Sequence, residues 1–247
     1  MNVRERLIVA LDVASAIEAQ EIVYELGDVV STYKIGLQLF TAEGPRFVSE
    51  LLNSGRKVFL DLKFHDIPNT VAGAVRSAAE LGVHMLTVHA AGGSRMLEAA
   101  VEAAKAASHQ PIILAVTVLT SLSQTELEES GVSGAISEQV RRLANLSAAT
   151  GCRGIVTSAQ EAAGMRRVLG PDMAIVTPGI RPAGAAIGDQ SRIATPASAI
   201  RAGASHLVVG RPILAAENRN SAATAIIREI AGALNSPEME KAGSRPA

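Results

Sequence analysis

The sequence predicts an α/β protein of the closed (β/α)8 TIM-barrel class, and three observations support this. Eight short apolar runs of strand-like composition recur roughly 20 to 40 residues apart. The stretches between these runs carry signals for helix starts and stops. The chain has 247 residues, and one barrel of this class uses about 250. Strand and helix alternating over this length favour a parallel sheet closed into a barrel.

The apolar runs are nearly continuous rather than alternating, which is typical of strands buried on both faces of a parallel sheet. Periodicity does not show whether such a sheet closes, so an open doubly wound sheet is the second candidate fold. The eight predicted strands span residues 7–12, 33–40, 58–64, 85–89, 112–119, 154–157, 174–177 and 206–209.

Helix boundaries are marked at several points between the strands. Ser15 and Ser158 are each followed three residues later by a glutamate. This is the spacing of a capping box, in which the serine caps a backbone N–H and the glutamate reaches back. Thr195 followed by Pro196 predicts a further helix start. Glycines stand where helices should stop, since glycine adopts the left-handed conformation of a C-cap. They are Gly27, Gly55, Gly82 and Gly151.

The composition indicates one globular domain and excludes several classes of partner. No linker interrupts residues 1–247, and a flexible tail is expected from about residue 236. A net charge of −1 gives no footprint for nucleic acid or an acidic membrane. We expect no signal peptide and no membrane span, because the chain lacks the required apolar segments. The single cysteine, Cys152, fits the reducing cytoplasm and is expected to be a packed residue rather than a nucleophile.

Residues 57–70 carry the densest set of candidate functional groups. They begin as an apolar strand, but Asp61 and Lys63 lie at its far end. Residues two apart on a strand face the same side of the sheet, so this carboxylate and this ammonium are expected to share a face. Asp66 follows three residues later, where Pro68 opens a helical pattern. Charges buried without a partner are costly, so these groups are expected to pair, to react, or both. For Asp61 and Lys63 alone, a structural ion pair at the strand end is the simpler alternative.

Other polar residues also cluster at the carboxyl ends of predicted strands, where barrels of this class carry their catalytic groups. Asp12 ends the first strand, His89 ends the fourth, and Thr120 follows the fifth. Lys34 is the exception, because it lies near the start of the second predicted strand. It would move toward the end only if that strand began earlier, around Val29.

The last two strands lead into loops that suit an anion. Barrels often bind phosphate between the loops that follow strands seven and eight. Gly210 allows the backbone to approach an anion closely, and Arg211 offers a permanent, forked cation. The long loop 181–195 is rich in Gly and Ala, contains Gln190, and can close over a ligand. Taken singly, Arg211 and Gln190 are also compatible with ordinary surface positions.

The string Asp61-x-Lys63-x-x-Asp66-x-x-x-Thr70, with Phe-His-Asp-Ile-Pro-Asn at 64–69, resembles the signature of the orotidine 5'-phosphate decarboxylase family. Further motifs of its bacterial members match in order along the chain. They are Ala-Leu-Asp at 10–12, Tyr-Lys-Ile-Gly at 33–36, Thr-Pro-Gly-Ile-Arg-Pro at 177–182, Gly-Asp-Gln at 188–190 and Val-Gly-Arg-Pro at 209–212.

The resemblance implies a cofactor-free and metal-free barrel enzyme, usually a homodimer. The implied reaction is decarboxylation of orotidine 5'-phosphate to uridine 5'-phosphate, the last step of de novo pyrimidine synthesis. By position, Lys63 would be the proton donor, within a charged array formed by Asp61, Lys34 and Asp66. Asp66 and Thr70 would reach into the partner subunit's site.

The same resemblance assigns the substrate contacts. Asp12 and Lys34 would contact the ribose, Thr120 would contact the pyrimidine edge, and Asp61 would also line the substrate site. The phosphate would be held by four residues, namely Arg181, Gln190, Gly210 and Arg211.

Three alternatives remain open. Sugar-phosphate decarboxylases and hexulose-phosphate synthases have a similar Asp-x-Lys-x-x-Asp pattern but use Mg²⁺, and the continuation to Thr70 favours the nucleotide enzyme. A Schiff base at Lys63 needs an uncharged amine, which flanking carboxylates disfavour. A non-catalytic nucleotide-monophosphate binder is disfavoured by the presence of both Asp61 and Lys63. His65 and His89 are expected to have no more than supporting roles, and the polar spacing does not suggest a metal site.

Overall fold

The computed structural model describes residues 2–182 and 194–235, and its eight parallel strands close into a barrel in sequence order. Closure confirms the predicted fold class and excludes the open doubly wound sheet. The strands are β1 Leu7–Ala10, β2 Thr32–Gly36, β3 Lys57–Phe64, β4 Met85–His89, β5 Ile112–Val116, β6 Gly154–Val156, β7 Ala174–Thr177 and β8 His206–Val209. The tail predicted to be flexible from about residue 236 lies outside the described residues.

Helices follow the strands and pack around the barrel. They are α1 Ala16–Leu26, α2 Leu37–Asn53, α3 Pro68–Glu80, α4 Gly93–Ala106, α5 Gln124–Glu129, α6 Ile136–Ala149, α7 Ala159–Leu169, α8 Pro196–Arg201, α9 Arg211–Leu214 and α10 Arg219–Leu234. Within the described ranges, no helix has the length and apolar character needed to cross a membrane.

Four predicted strands run too far at their carboxyl ends. β1 ends at Ala10 rather than at 12, and β6 ends at Val156 rather than at 157. Residues 37–40 were assigned to the second strand but form the first turn of α2, and β5 ends at Val116 rather than at 119. A short apolar run does not by itself distinguish a strand from a buried helical turn. Lys34 is therefore the third of the five residues of β2, and it is the end of this strand, not its start, that the sequence analysis misplaced.

The predicted caps are partly confirmed. Ser15 accepts a hydrogen bond from the backbone N–H of Glu18, and Thr195 caps α8 through Ser198. The capping box predicted at Ser158 is wrong, because its hydroxyl binds the Glu161 carboxylate directly and makes no bond to the helix backbone.

The barrel interior changes from apolar to polar toward the carboxyl ends of the strands. An inner apolar cluster fills the lower layers and contains Ile8, Ala10, Phe59, Met85, Leu114, Val176 and Val208. Because residues two apart on a strand face the same way, the next inward positions above Phe59 and Met85 are Asp61 and Thr87. The polar residues therefore stand on a packed apolar floor at the barrel mouth.

The opposite end of the barrel contains a buried histidine. His206 begins β8 and is 7% exposed. Burial, reinforced by the nearby charge of Arg6, lowers the pKa of His206 from 6.5 to about 4. Lys57 acts in the same direction and Glu5 opposes it. The folded protein thus holds this imidazole in its neutral form.

We predict that His206 makes the fold sensitive to acid. Between pH 6.5 and 4 the unfolded chain binds a proton at this residue and the folded chain does not. The free energy of unfolding should therefore decrease as the pH falls through this window, by about 3 kcal/mol at pH 4. Urea unfolding of the wild type and His206→Gln across this range measures the effect, with the exposed His109→Gln as control. The same pH slope in all three proteins would contradict the prediction.

Candidate active site

An ion pair at the end of β3 is the centre of the polar mouth. The ammonium of Lys63 lies 3.0 Å from both Asp61 oxygens. The Asp61 side chain is only 13% exposed, whereas that of Lys63 is 31% exposed. A carboxylate this far buried requires partners, and the amine that neutralises it still reaches the cavity. The prediction that Asp61 and Lys63 share a face is therefore confirmed.

The strand that makes this contact is not the regular strand that the sequence predicted, because β3 contains a bulge. β3 pairs with β4 at Leu60 and again at Phe64, so three residues of β3 lie opposite the single residue Thr87. Lys63 has φ 49°, and it is the sole non-glycine with positive φ among the described residues. This bulge turns the lysine side chain back over the Asp61 carboxylate. Bulges beside active sites commonly re-aim a side chain in this way.

A second lysine links the ion pair to β1. The ammonium of Lys34 lies 2.8 Å from Asp12 Oδ1 and 3.8 Å from Asp61 Oδ2. Gly36 makes room for this arrangement, since a Cβ there would lie 2.9 Å from the Lys34 ammonium. A row of alternating charges thus runs from the loop after β1 across β2 to β3, and it consists of Asp12, Lys34, Asp61 and Lys63.

Two adjoining cavities open beside this row. The larger has a volume of about 440 Å³ and is lined by Asp12 and Lys34 together with the loops after β7 and β8. The smaller, of about 150 Å³, is lined by Asp61 and Lys63. Lys34, Pro178 and Val208 line both cavities, so the two form one continuous site.

The larger cavity has a cationic end. Arg181 and Arg211 line it, and Gly210 contributes backbone where α9 begins. Arg181 is 9% exposed, and its Nε atom has no hydrogen-bond partner in the part of the chain that the structure describes. Buried donors of this kind normally bind a partner, so this end suits an anion. Gln190 lies outside the described residues.

The smaller cavity has an apolar wall facing the charged row. Thr120 lines its rim, and the remaining lining is largely aliphatic, with Phe59 at the base. This wall consists of Val116, Val118, Leu119, Val156, Pro178 and Val208. Such a cavity would suit a flat ring with polar atoms at its edge. The apolar wall would pack against a face of the ring, and Thr120 would contact its edge.

Asp66 and Thr70 lie on the other side of Lys63. Both are exposed and line a third cavity of about 300 Å³, which Lys63 also lines. Asp66 Oδ1 accepts a hydrogen bond from the Ile67 N–H at 2.6 Å. Within residues 2–182 and 194–235, Asp66 makes no ion pair with Lys63. A single chain therefore brings together the charged array of Lys34, Asp61 and Lys63 but leaves Asp66 outside it.

The histidines and the cysteine lie outside this row. His65 and His89 stack with ring centroids 5.2 Å apart. Burial, together with the charges of His65 and Lys63, lowers the pKa of His89. Cys152 is buried as predicted, and burial raises the pKa of its thiol to about 11. In the described part of the chain, no cluster of three or more His, Cys, Asp or Glu side chains is arranged to hold a metal ion.

The sequence analysis missed two residues that shape the site. Gly36 gives the Lys34 ammonium its space, and Thr87 contacts both members of the ion pair. Thr87 does carry a signal in the sequence. It is a hydroxyl residue at an inward position of an otherwise apolar strand, immediately across from the strand that ends in Asp61 and Lys63.

Comparisons with known proteins show similarity to one family over nearly the whole chain. A family model described as orotidine 5'-phosphate decarboxylase / HUMPS family matches residues 5–226. The chain is 55% identical over 228 residues to orotidine 5'-phosphate decarboxylase of Halorhodospira halophila, covering 92% of this chain and 97% of that protein. It is 52% identical over 230 residues to the protein of the same name from Afipia carboxidovorans, covering 93% and 96%.

The fold is similar as well. The crystal structure of orotidine 5'-phosphate decarboxylase from Lactobacillus acidophilus superposes with a TM-score of 0.83 at 39% sequence identity. The match covers 92% of this chain and 99% of that one.

Proposed function

The chain belongs to the orotidine 5'-phosphate decarboxylase / HUMPS family, and on this basis we propose that it converts orotidine 5'-phosphate into uridine 5'-phosphate and CO2. This is a carboxy-lyase reaction, the last step of de novo pyrimidine synthesis. The observation that carries the proposal is the Lys63 ammonium, held 3.0 Å from both Asp61 oxygens at the rim of a cavity sized for a ring.

The proposed chemistry begins with cleavage of the bond between C6 and the carboxylate carbon. The electron pair stays on C6 as CO2 leaves, and it lies in the ring plane, so the π system does not delocalise it. Lys63 then gives a proton from Nζ to C6 and recovers one from solvent. Asp61 holds the ammonium in position until that point, through contacts of 3.0 Å from both of its oxygens.

Electrostatics at Lys63 supply only part of the required stabilisation. An ammonium about 4 Å from the developing carbanion contributes roughly 4 kcal/mol at an effective dielectric near 20. Enzymes lower barriers by up to about 23 kcal/mol. The remainder must come from the preorganised charges and from binding energy at remote parts of the substrate. The cationic end of the larger cavity supports this role for the phosphate.

The two cavities suggest how the nucleotide lies. We place the pyrimidine in the smaller cavity, with Thr120 at its edge and Asp61 and Lys63 near C6. The ribose then lies beside Asp12 and Lys34, which line the larger cavity. The phosphate binds at its cationic end through Arg181, Gln190, Gly210 and Arg211. No metal or organic cofactor takes part in this proposal.

We further propose that the active form is a cytoplasmic homodimer. In one chain Asp66 and Thr70 are exposed, and the Asp66 carboxylate accepts a hydrogen bond from the Ile67 N–H. In the dimer they would enter the partner subunit's site, so each site would combine Lys63 of one protomer with the partner subunit's Asp66. We also propose that each chain forms a single domain and that each dimer contains two sites, both shared between the protomers.

The family also contains sugar-phosphate enzymes, which gives a second candidate reaction. Those enzymes use Mg²⁺ to hold an enediolate, whereas the proposed reaction needs no metal. We predict that activity on orotidine 5'-phosphate is unchanged after dialysis against EDTA. Loss of activity on chelation, with recovery on adding Mg²⁺, would favour the metal-dependent reaction.

Treatment with borohydride and substrate tests a further alternative, a Schiff base at Lys63, and no trapped adduct is expected.

We predict that Lys63→Ala abolishes turnover and leaves the protein folded. Loss of the ammonium removes the proton donor and about 4 kcal/mol of charge stabilisation, so the rate should fall at least about 1,000-fold. The loss of substrate absorbance measures turnover, and circular dichroism measures folding. Lys57→Ala is the matched control, because Lys57 begins the same strand and pairs with Glu5 at the opposite end of the barrel. Near-wild-type turnover in Lys63→Ala would end the proposal.

A complementation experiment tests the shared sites. We predict that Lys63→Ala and Asp66→Ala chains are each inactive alone and regain activity when mixed. Random exchange makes half of the dimers hybrids with one intact site each, so about one quarter of wild-type activity should return. Subunit exchange is verified by native mass spectrometry of differently tagged chains. Absence of recovery despite verified hybrids would count against shared sites.

A further inference from the structure

The bulge in β3 places one hydroxyl between the backbone and the side chains of the charged site. Asp61, Leu62 and Lys63 lie opposite the single residue Thr87 of β4. The left-handed conformation of Lys63 is sterically unfavourable, because its Cβ atom approaches the following carbonyl oxygen. A specific contact must therefore hold this conformation in the folded protein.

The hydroxyl oxygen of Thr87 makes two hydrogen bonds that hold this conformation. Its Oγ1 atom accepts a hydrogen bond from the Lys63 backbone N–H at 2.8 Å and donates one to Asp61 Oδ1 at 3.0 Å. The side chain is fully buried, so no water competes for either bond. The bond to the N–H replaces the ladder bond that the bulge removes. The bond to the carboxylate fixes the rotation of Asp61, with Oδ2 toward Lys34.

We propose that Thr87 is a positioning residue for the Lys63–Asp61 pair. Its hydroxyl ties the backbone of the proton donor to the carboxylate that holds the ammonium. The direction of the Nζ atom then depends on one rigid, buried group rather than on a flexible side chain. The expected effect of Thr87 on the reaction rate rests on the proposed decarboxylation. Its effect on the geometry of Lys63 and Asp61 does not.

The position of Thr87 predicts which kinetic constant it controls. Thr87 is fully buried and is not among the residues that line the two substrate cavities. Removing its hydroxyl should leave substrate contacts in place and misplace the reacting amine. A displacement of about 1 Å at a reacting group costs about 100-fold in rate. The effect should therefore appear in kcat and not in KM.

Two pairs of variants isolate the hydroxyl. The first comparison is between the wild type and Thr87→Val, which removes the hydroxyl at nearly constant volume. The second is between Thr87→Ser, which keeps the hydroxyl in a smaller side chain, and Thr87→Ala, which lacks it. The second comparison tests the inference even where the valine variant does not fold. We expect kcat to fall about 100-fold in each comparison, with KM and the Kd of uridine 5'-phosphate nearly unchanged. Thr87→Ser should retain most of the wild-type kcat. Thr117→Val is the matched control, because Thr117 is also buried but bonds the Val156 carbonyl.

Crystal structures of Thr87→Val and Thr87→Ser give a readout that does not depend on activity. In the valine variant Lys63 should leave the positive φ region, and its ammonium should move away from the Asp61 oxygens. In the serine variant both features should persist. Wild-type geometry in Thr87→Val, or an equal loss of kcat and nucleotide affinity, would overturn the inference. A wild-type protein that releases no CO2 from orotidine 5'-phosphate would refute the proposed function instead, leaving the structural comparison to decide the role of Thr87.

Discussion

The site depends on one carboxylate, that of Asp61, which is buried between two ammonium groups. Lys63 contacts both of its oxygens at 3.0 Å, and Lys34 lies 3.8 Å from Oδ2. Removing a charge from water costs several kcal/mol, and only close partners with good geometry offset this cost. Asp61 is thus the shared partner of both ammonium groups, which would otherwise repel each other. The carboxylate holds the Lys63 amine beside an apolar cavity.

The ion pairs around Asp61 lie at one end of the barrel, apart from the apolar cluster and the ion pair that stabilise the fold below them. β3 shows the division along a single strand, with Lys57 paired to Glu5 at its beginning and Lys63 facing the cavity at its end. The apolar floor between the two ends keeps water away from the charged row on its lower side. Electrostatic interactions are stronger where water is excluded. The same floor that packs the barrel therefore strengthens the charges on which the proposed chemistry relies.

Much of this organisation was predictable from the sequence, and the failures have physical causes. Continuous apolar runs and helix signals predicted eight strands, but residues 37–40 were as compatible with a helical turn as with a strand. This ambiguity placed Lys34 near the start of a long strand, whereas it is the middle residue of the five-residue β2. Period-two alternation brought Asp61 and Lys63 onto one face, yet the contact depends on a bulge with a left-handed lysine. Nothing in the residue type at 63 signals that conformation, for which glycine or asparagine is usual. Asp66 marks another limit, because a role in a partner's site depends on a second chain.

The most direct test is a crystal structure of the wild-type protein with uridine 5'-phosphate, the proposed product. The decisive quantity is the distance from Lys63 Nζ to C6 of the pyrimidine. We expect about 3 to 3.5 Å, the separation of reacting atoms in a near-attack geometry, with the phosphate beside Arg211. A nucleotide bound in the reverse direction, with its phosphate at Lys63, or a C6 atom too far away for direct proton transfer, would contradict the central role of this lysine.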